Sequence, residues 1–364
     1  MSHVKQSSSN DEEEAFVYAL HLSTCQILPT ALNAAVEMKL FDIVAAGGGA
    51  SGSGISAAEI VARLPVAAEN PEVVSMVDRL LSLLVCHSLL TCSVRTLEDG
   101  SVGERLYGLS SAGEYFVESR EGGSLASLFP VACHPVGLKV LPRMKDAIIE
   151  GGNQFNKVHG MSIYQYMNID PPMKEVFNKA MFAISSVTIM KILETYKGFE
   201  GLTSLVDVGG GIGRSLTLLV SKYPSLKGIN FDLPGVIESA PFIPGIENVG
   251  GDMFRAIPKG GDAIMMKNIL HNWSDEQCLT ILKNCYDALP KNGKVIIIDI
   301  VLSETPDSSF GAKYATQLDN AMLLQFGGKE RTKKEFETLC KGSRFRDFQV
   351  FPCAGVFYVI EFYK

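Results

Sequence analysis

The chain has 364 residues, 46% of them apolar, and a formal net charge of −7. That length allows two domains or one large one with an ample buried core, while the acidic balance argues against a general phosphate-binding surface and so against nucleic acid as a partner. The sequence shows no apolar run of the length a membrane span needs and no basic-then-apolar leader, so the expectation is a cytoplasmic protein with no membrane partner.

Residues 1–14 are Ser-rich and then acidic, the composition of a disordered tail. From Glu14 to Val44 apolar positions recur at helical spacing, with a break expected at Pro29. The Gly/Ser/Ala run from Gly47 to Gly54 reads as a loop. Ile55 to Leu64 reads as a short helix in which Ser56 and Glu59 form a capping box. A helix from Pro71 to Ser88 follows, then two strand-like runs, Leu90 to Thr96 and Arg105 to Leu109, joined by Glu98-Asp99-Gly100.

Two helices and a hairpin make a winged-helix-like arrangement over residues 15–115. DNA binding is disfavoured because the second helix carries Arg79 as its one strong cation and is otherwise rich in Val, Met and Leu. The apolar excess of the opening helices suits a dimerisation domain instead. Residues 116–200 form a helical bridge with Tyr164, Tyr166, Phe177, Met181 and Met190, suited either to a core or to a ligand pocket. From residue 201 to 364 apolar strands (205–208, 228–232, 263–270 and 294–300) alternate with helical stretches and end in a strand pair, the pattern of an α/β doubly wound sheet.

The eight cysteines include no C-x-x-C pair and no His–Cys cluster at metal spacing. They read as reduced, mostly buried thiols, and no metal site is expected.

The most specific signal is Leu205-Val-Asp-Val-Gly-Gly-Gly-Ile-Gly213, answered by Asp232 19 positions after Gly213. A strand, a glycine turn and an acid after the next strand are what a βαβ nucleoside site requires, since the acid accepts hydrogen bonds from the ribose hydroxyls. A pyrophosphate-binding turn wants glycine at its sixth position, where Arg214 stands. The turn D-V-G-G-G-x-G resembles instead that of class I methyltransferases, which bind S-adenosylmethionine.

Ligands of open α/β sheets sit beyond the carboxyl ends of the strands. Gly209, Asp232, Asp252, Met253, His271 and Asp299 all fall there. Ser274 and Gln277 cap a helix running from Asp275 to Ala288 or Leu289, which leaves His271 in a connecting loop. A phenol has a pKa of about 10 and an imidazole one of about 6.5, so a histidine there can take the proton as the oxygen attacks a methyl group. Either Asp299 or Glu330 could orient that imidazole.

Taken with Gly228–Pro234, Val249–Phe254, Leu270–Asp275, Leu282–Tyr286 and Gly327–Thr332, these residues resemble the plant caffeic acid O-methyltransferase type family over nearly the whole chain. The resemblance implies a Rossmann-like, S-adenosylmethionine-dependent methyltransferase domain behind a mainly helical, winged-helix-like dimerisation domain. It implies cofactor contacts from Gly209, Asp232, Leu233, Asp252, Met253 and Lys267, a base at His271 with orienting acids Asp299 and Glu330, and a homodimer. It also implies an aromatic acceptor pocket lined by Val131, Met167, Phe177, Met181, Ile184, Met322 and Phe326.

The departures bear on the acceptor. The family's usual H-D-W-S-D reads His271-Asn-Trp-Ser-Asp275, and its usual Glu at 299 is Asp299. Val131-Ala132 stands in place of Met-Asn, Met167 and Ile184 in place of histidines, and Leu141 in place of a tryptophan; the family also carries an Asn near Gln325-Phe326. Loss of polar partners disfavours an acid such as caffeate, because an unpaired buried carboxylate is costly. The expectation is O-methylation of a coumarin, flavonoid, alkaloid or phenylpropanoid-like phenol, with N-methylation of an aromatic amine as the alternative.

Overall fold

A computed structural model describes residues 9–48, 54–64, 70–96, 102–118, 120 and 123–364. The chain forms two compact units, Met1–His134 and Pro135–Lys364. The division falls inside the stretch read from sequence as the bridge. The Glu98–Gly100 turn and the centre of the Gly47–Gly54 run lie outside the described residues.

The first unit opens with helices Ser9–Leu22, Ile27–Glu37 and Leu40–Gly47. Two expectations need correction here. Residues 9–14 belong to the first helix and not to a disordered tail, residues 1–8 being outside the described set. The helical run breaks at residues 23–26, whereas Pro29 sits in the first turn of the second helix. There its missing N–H is one that no helix would satisfy.

Strand β1 (Ile55–Ser56) leads into helix Ala57–Val61, whose Ser56–Glu59 capping box is formed. Helix Val73–Cys86 then precedes β2 (Leu90–Thr96) and β3 (Val102–Leu109), and the three strands form an antiparallel sheet in the order β1-β3-β2. Leu32, Phe41, Ile60, Leu81, Leu84 and Tyr107 fill the core between helices and sheet. The first helix keeps Phe16, Val17, Tyr18, Leu20 and Leu22 more than half exposed.

In the second unit, short helices precede the long helix Pro171–Thr195, whose start is fixed by Asp170 accepting the Met173 N–H at 3.0 Å. By length and composition this helix is apolar enough to cross a membrane, contrary to the sequence expectation. Its Ile189, Ile192 and Leu193 are buried in the core of this unit. The sheet follows: β4 (Ser204–Val208), β5 (Lys227–Asp232), β6 (Ile246–Gly250), β7 (Ala263–Lys267), β8 (Lys294–Leu302), β9 (Arg331–Thr332), β10 (Asp347–Ala354) and β11 (Phe357–Tyr363).

The order is β6-β5-β4-β7-β8-β11-β10, with β4 to β8 mutually parallel, β10 and β11 antiparallel, and β9 paired to the end of β8. Val206, Ile264 and Ile297 face helices Asp275–Ala288 and Lys333–Gly342, while Leu205, Met265 and Ile296 face helices Pro171–Thr195 and Arg214–Lys222. A parallel sheet covered on both sides demands such continuously apolar strands.

β6 escaped the sequence reading because it is a short edge strand, Ile-Glu-Asn-Val-Gly, with little apolar signal. The strand expected over 263–270 stops at Lys267, because Asn268 takes a left-handed φ of 55°. The cysteines are free, but contrary to the expectation of mostly buried thiols Cys25, Cys86 and Cys92 are exposed, and only Cys278, Cys285 and Cys340 are fully buried.

Candidate active site

The order of strands reverses between β4 and β7, which opens a crevice at their carboxyl ends. Gly209 begins the turn there with φ 72°, and its N–H donates to the Phe231 carbonyl at 2.8 Å. A Cβ at Gly209 would meet Ile269 Cδ1 at 2.2 Å, whereas at Gly211 it would point into open space. The turn therefore packs tightly at its start and leaves room in its middle.

Asp232 ends β5 and is held by two backbone donors: Gly211 N–H to Oδ2 at 2.8 Å and Leu233 N–H to Oδ1 at 2.7 Å. Each oxygen keeps a further acceptor position. Burial raises the pKa of Asp232 against the pull of those two donors. Leu233 is half exposed beside it. Past β6, Asp252 accepts the Phe254 N–H at 2.9 Å, and Met253 packs against the core with its carbonyl held by Asn284 at 2.8 Å.

Lys267 ends β7 and donates to Asn268 Oδ1 at 2.7 Å. Burial pushes its pKa down to about 8, opposed by the charges of Asp299 and Asp207. Asp207, buried on β4, is pushed up to about 7 by desolvation, with Lys267 opposing and Asp232 adding, and its Oδ2 has no hydrogen-bond partner among the described residues. A ribose acceptor at Asp232, space over Gly211 and an unsatisfied buried carboxyl at Asp207 fit a nucleoside that carries a cationic amino-acid end.

His271 occupies a 3-10 turn, Leu270–Asn272. Its Nδ1 lies 2.7 Å from Glu330 Oε1, and both side chains are buried. A carboxylate only accepts, so Nδ1 carries the proton and Nε2 is left free. Burial alone would lower the imidazole pKa; the hydrogen bond and charge of Glu330, joined by the charge of Asp299, outweigh it and raise the value. Glu330 is thus the acid that touches His271. Asp299 lies buried on β8 with neither carboxyl oxygen bonded among the described residues, and desolvation pushes it up to about 7 despite the opposing charge of His271.

Backbone approach makes the His271–Glu330 pair possible. A Cβ on Gly328 would come within 1.9 Å of the His271 carbonyl, so only glycine lets this loop pass. The next residue, Lys329, then donates its N–H to that carbonyl at 2.9 Å, and Glu330 N–H is held by Asp319 at 2.8 Å.

Arg331, absent from the sequence candidates, is 1% exposed and locks the turn from below. It donates to the carbonyls of Leu270 (2.7 Å) and Trp273 (2.8 Å) and to Asp275. An apolar-periodicity reading passes over a lone cation, although the Gly327–Thr332 segment contains it. Asn272 donates to the carbonyls of Asn268 and Ile269, which the aspartate usual in the family could not do.

Of the expected pocket residues, Met167 and Met322 are buried, and Phe177, Met181 and Ile184 are partly buried along helix Pro171–Thr195. The Phe326 ring lies 5.9 Å from that of Tyr164. Val131 belongs to the first unit, on helix Leu128–Ala132. Among the described residues no cluster of His, Cys, Asp or Glu could hold a metal ion.

With this geometry in place, residues 142–346 match the family model of the O-methyltransferase domain and residues 20–119 that of the O-methyltransferase dimerisation domain. The chain belongs to the O-methyltransferase family. It is 50% identical to caffeic acid 3-O-methyltransferase of Medicago sativa over 97% of this chain and 95% of that one. With the enzyme of that name from Prunus dulcis it shares 51% identity over the same proportions.

Human N-acetylserotonin methyltransferase shares the fold at a TM-score of 0.80 and 22% identity, covering 100% of this chain and 99% of that one. Mitomycin 7-O-methyltransferase does so at 0.74 and 23%, covering 98% and 100%. The protein is thus an S-adenosylmethionine-dependent O-methyltransferase of the caffeic acid type, with a Rossmann-like catalytic fold. The relatives near half identity transfer to oxygen, so the aromatic-amine alternative gains nothing from them.

Proposed function

We propose that this enzyme methylates a phenolic hydroxyl of a small aromatic plant metabolite, with His271 as general base. The observation that carries the reading is the 2.7 Å contact of His271 Nδ1 with Glu330, which leaves Nε2 available beside the cofactor crevice. When bound, S-adenosylmethionine supplies an electrophilic methyl group on a sulfonium. Gly209, Asp232, Leu233, Asp252, Met253 and Lys267 are the residues proposed to hold it. His271 Nε2 takes the acceptor's hydroxyl proton, and Glu330 stabilises the resulting imidazolium, with Asp299 adding charge without contact.

For the acceptor we favour a neutral or cationic phenol, such as a coumarin, flavonoid or phenolic alkaloid, over a free acid. The support is the apolar character of Met167, Phe177, Met181, Ile184, Met322 and Phe326, all within the second unit. The name of the Medicago and Prunus relatives keeps caffeate in the test. The exposed apolar helix Ser9–Leu22 and the dimerisation-domain match support a homodimer, and a cytoplasmic location remains the expectation.

The test is mass spectrometry of products formed with methyl-deuterated cofactor and a panel of caffeate, flavonoid, coumarin, phenolic-alkaloid and anthranilate-like acceptors. Label on a neutral or cationic phenol with caffeate untouched is the expected result. Strong labelling of caffeate would overturn the acceptor preference, and label on nitrogen alone would overturn O-methylation of such phenols.

A further inference from the structure

The residues that would hold the cofactor at Gly209, Asp232, Asp252 and Lys267 all lie at the strand ends of the sheet and in the turns that follow them. An aromatic cluster faces them from a different part of the second unit. Helix Ile163–Ile169 is started by a complete Ser162–Gln165 capping box and anchored by the buried Ile163 and Met167. Tyr164 stands in its first turn. Its ring stacks on Trp273 at 5.9 Å between centroids and 16° between planes, and Trp273 meets Phe254 edge-on at 4.9 Å.

Trp273 lies two residues after the proposed base, and Phe254 follows Asp252-Met253, so this stack joins helix 163–169 to both ends of the crevice. The ring of Tyr164 is partly buried, and its hydroxyl makes no hydrogen bond among the described residues and is not sealed from solvent, so its donor is open to a ligand. Burial and the nearby charge of Asp232 both disfavour its ionisation, so the phenol stays a donor.

We propose that Tyr164 is a ligand of the cofactor's ribose. Asp232 can accept hydrogens from ribose hydroxyls but cannot donate, so the oxygens of those hydroxyls still need a donor. Tyr164 supplies it, while its ring closes the nucleoside site against water. This rests on the cofactor reading given above and is independent of the base at His271.

The experiment is calorimetric titration of the full-length protein and of Tyr164→Phe with S-adenosylhomocysteine and with its 2′-deoxy and 3′-deoxy forms. Quenching of the chain's single tryptophan, Trp273, provides a second readout. Phenylalanine preserves the ring stack, so a loss of binding reports the hydroxyl.

The expected result is affinity for S-adenosylhomocysteine weakened by about two- to tenfold, the range for one net hydrogen bond. At least one deoxy form should then bind wild type and variant equally. Equal affinity of both proteins for S-adenosylhomocysteine overturns the proposal, as does the same fractional loss on all three ligands, which would leave Tyr164 only a wall. Binding of none of these ligands by the unaltered protein would overturn the cofactor reading itself, and a His271→Ala protein that still binds S-adenosylhomocysteine separates both questions from the base assignment.

Discussion

The two ends of the crevice are built differently. At the Gly209–Asp232 end, one continuous strand–turn–helix–strand segment supplies both the turn and the acid, and backbone N–H groups orient the carboxylate. At the His271–Glu330 end, the two side chains come from segments 59 residues apart and meet only because Gly328 lets one backbone pass against another. The first end is local in sequence; the second depends on long-range fit. Substitutions at the second end should therefore impair turnover while leaving cofactor affinity nearly intact.

The sharpest test of that contrast is His271→Ala. Removal of a general base is expected to lower kcat by about 10²–10⁴-fold, with the dissociation constant for S-adenosylhomocysteine unchanged. Retained turnover on every accepted phenol would sink the base assignment. Next in size is Gly328→Ala. Its Cβ has 1.9 Å to the His271 carbonyl, so the loop carrying Glu330 must move. A displacement of an ångström at a catalytic group costs about 100-fold in rate, and the same crowding should lower Tm. A variant with wild-type rate would show that the loop is slack and that the long-range fit does not matter.

Glu330→Gln separates charge from shape. The Glu330 charge and hydrogen bond raise the His271 pKa, and the amide lacks the charge, so the pKa should fall. The base is then unprotonated to lower pH, and the acidic limb of kcat/KM moves towards acid while the plateau drops by about tenfold. An unmoved limb would mean that Glu330 does not govern the titration of His271.

The same contrast explains what could be read in the sequence. The Gly209–Gly213 turn and the Ser274 capping box are set within a few residues, and Asp232 within one strand–turn–helix–strand unit, so spacing alone places them. For His271 the sequence offered two acids, and choosing between them required β9 to pair with the end of β8, a contact that no periodicity encodes. Arg331 was missed for the same reason, since it acts on backbone 61 residues away in sequence. Pro29 misled for a local reason: a proline in a helix's first turn resembles one that breaks it. The Asn268 kink that ends β7 early rests on a single left-handed residue inside an apolar run.

Asp299→Asn is expected to have the smallest effect on turnover, and it tests whether the second acid is tuned by burial rather than by contact. The folded-state pKa of Asp299 is pushed up to about 7 by burial, against an unfolded value of about 3.9. Between those values the unfolded chain has lost the proton while the folded chain retains it. Native stability therefore falls as pH rises through that window, and the full loss is present above about 7. Asparagine has the same shape and no such linkage. The variant should be more stable than wild type at pH 8, appearing as a Tm higher by a few degrees, with a smaller gain at pH 5. Because Asp299 raises the His271 pKa by charge alone, its acidic limb should move in the same direction as in Glu330→Gln but by less. A Tm lowered by the substitution at pH 8 would mean that Asp299 is ionised and paired in the folded protein, placing it in direct partnership with His271 or Lys267 instead of behind them.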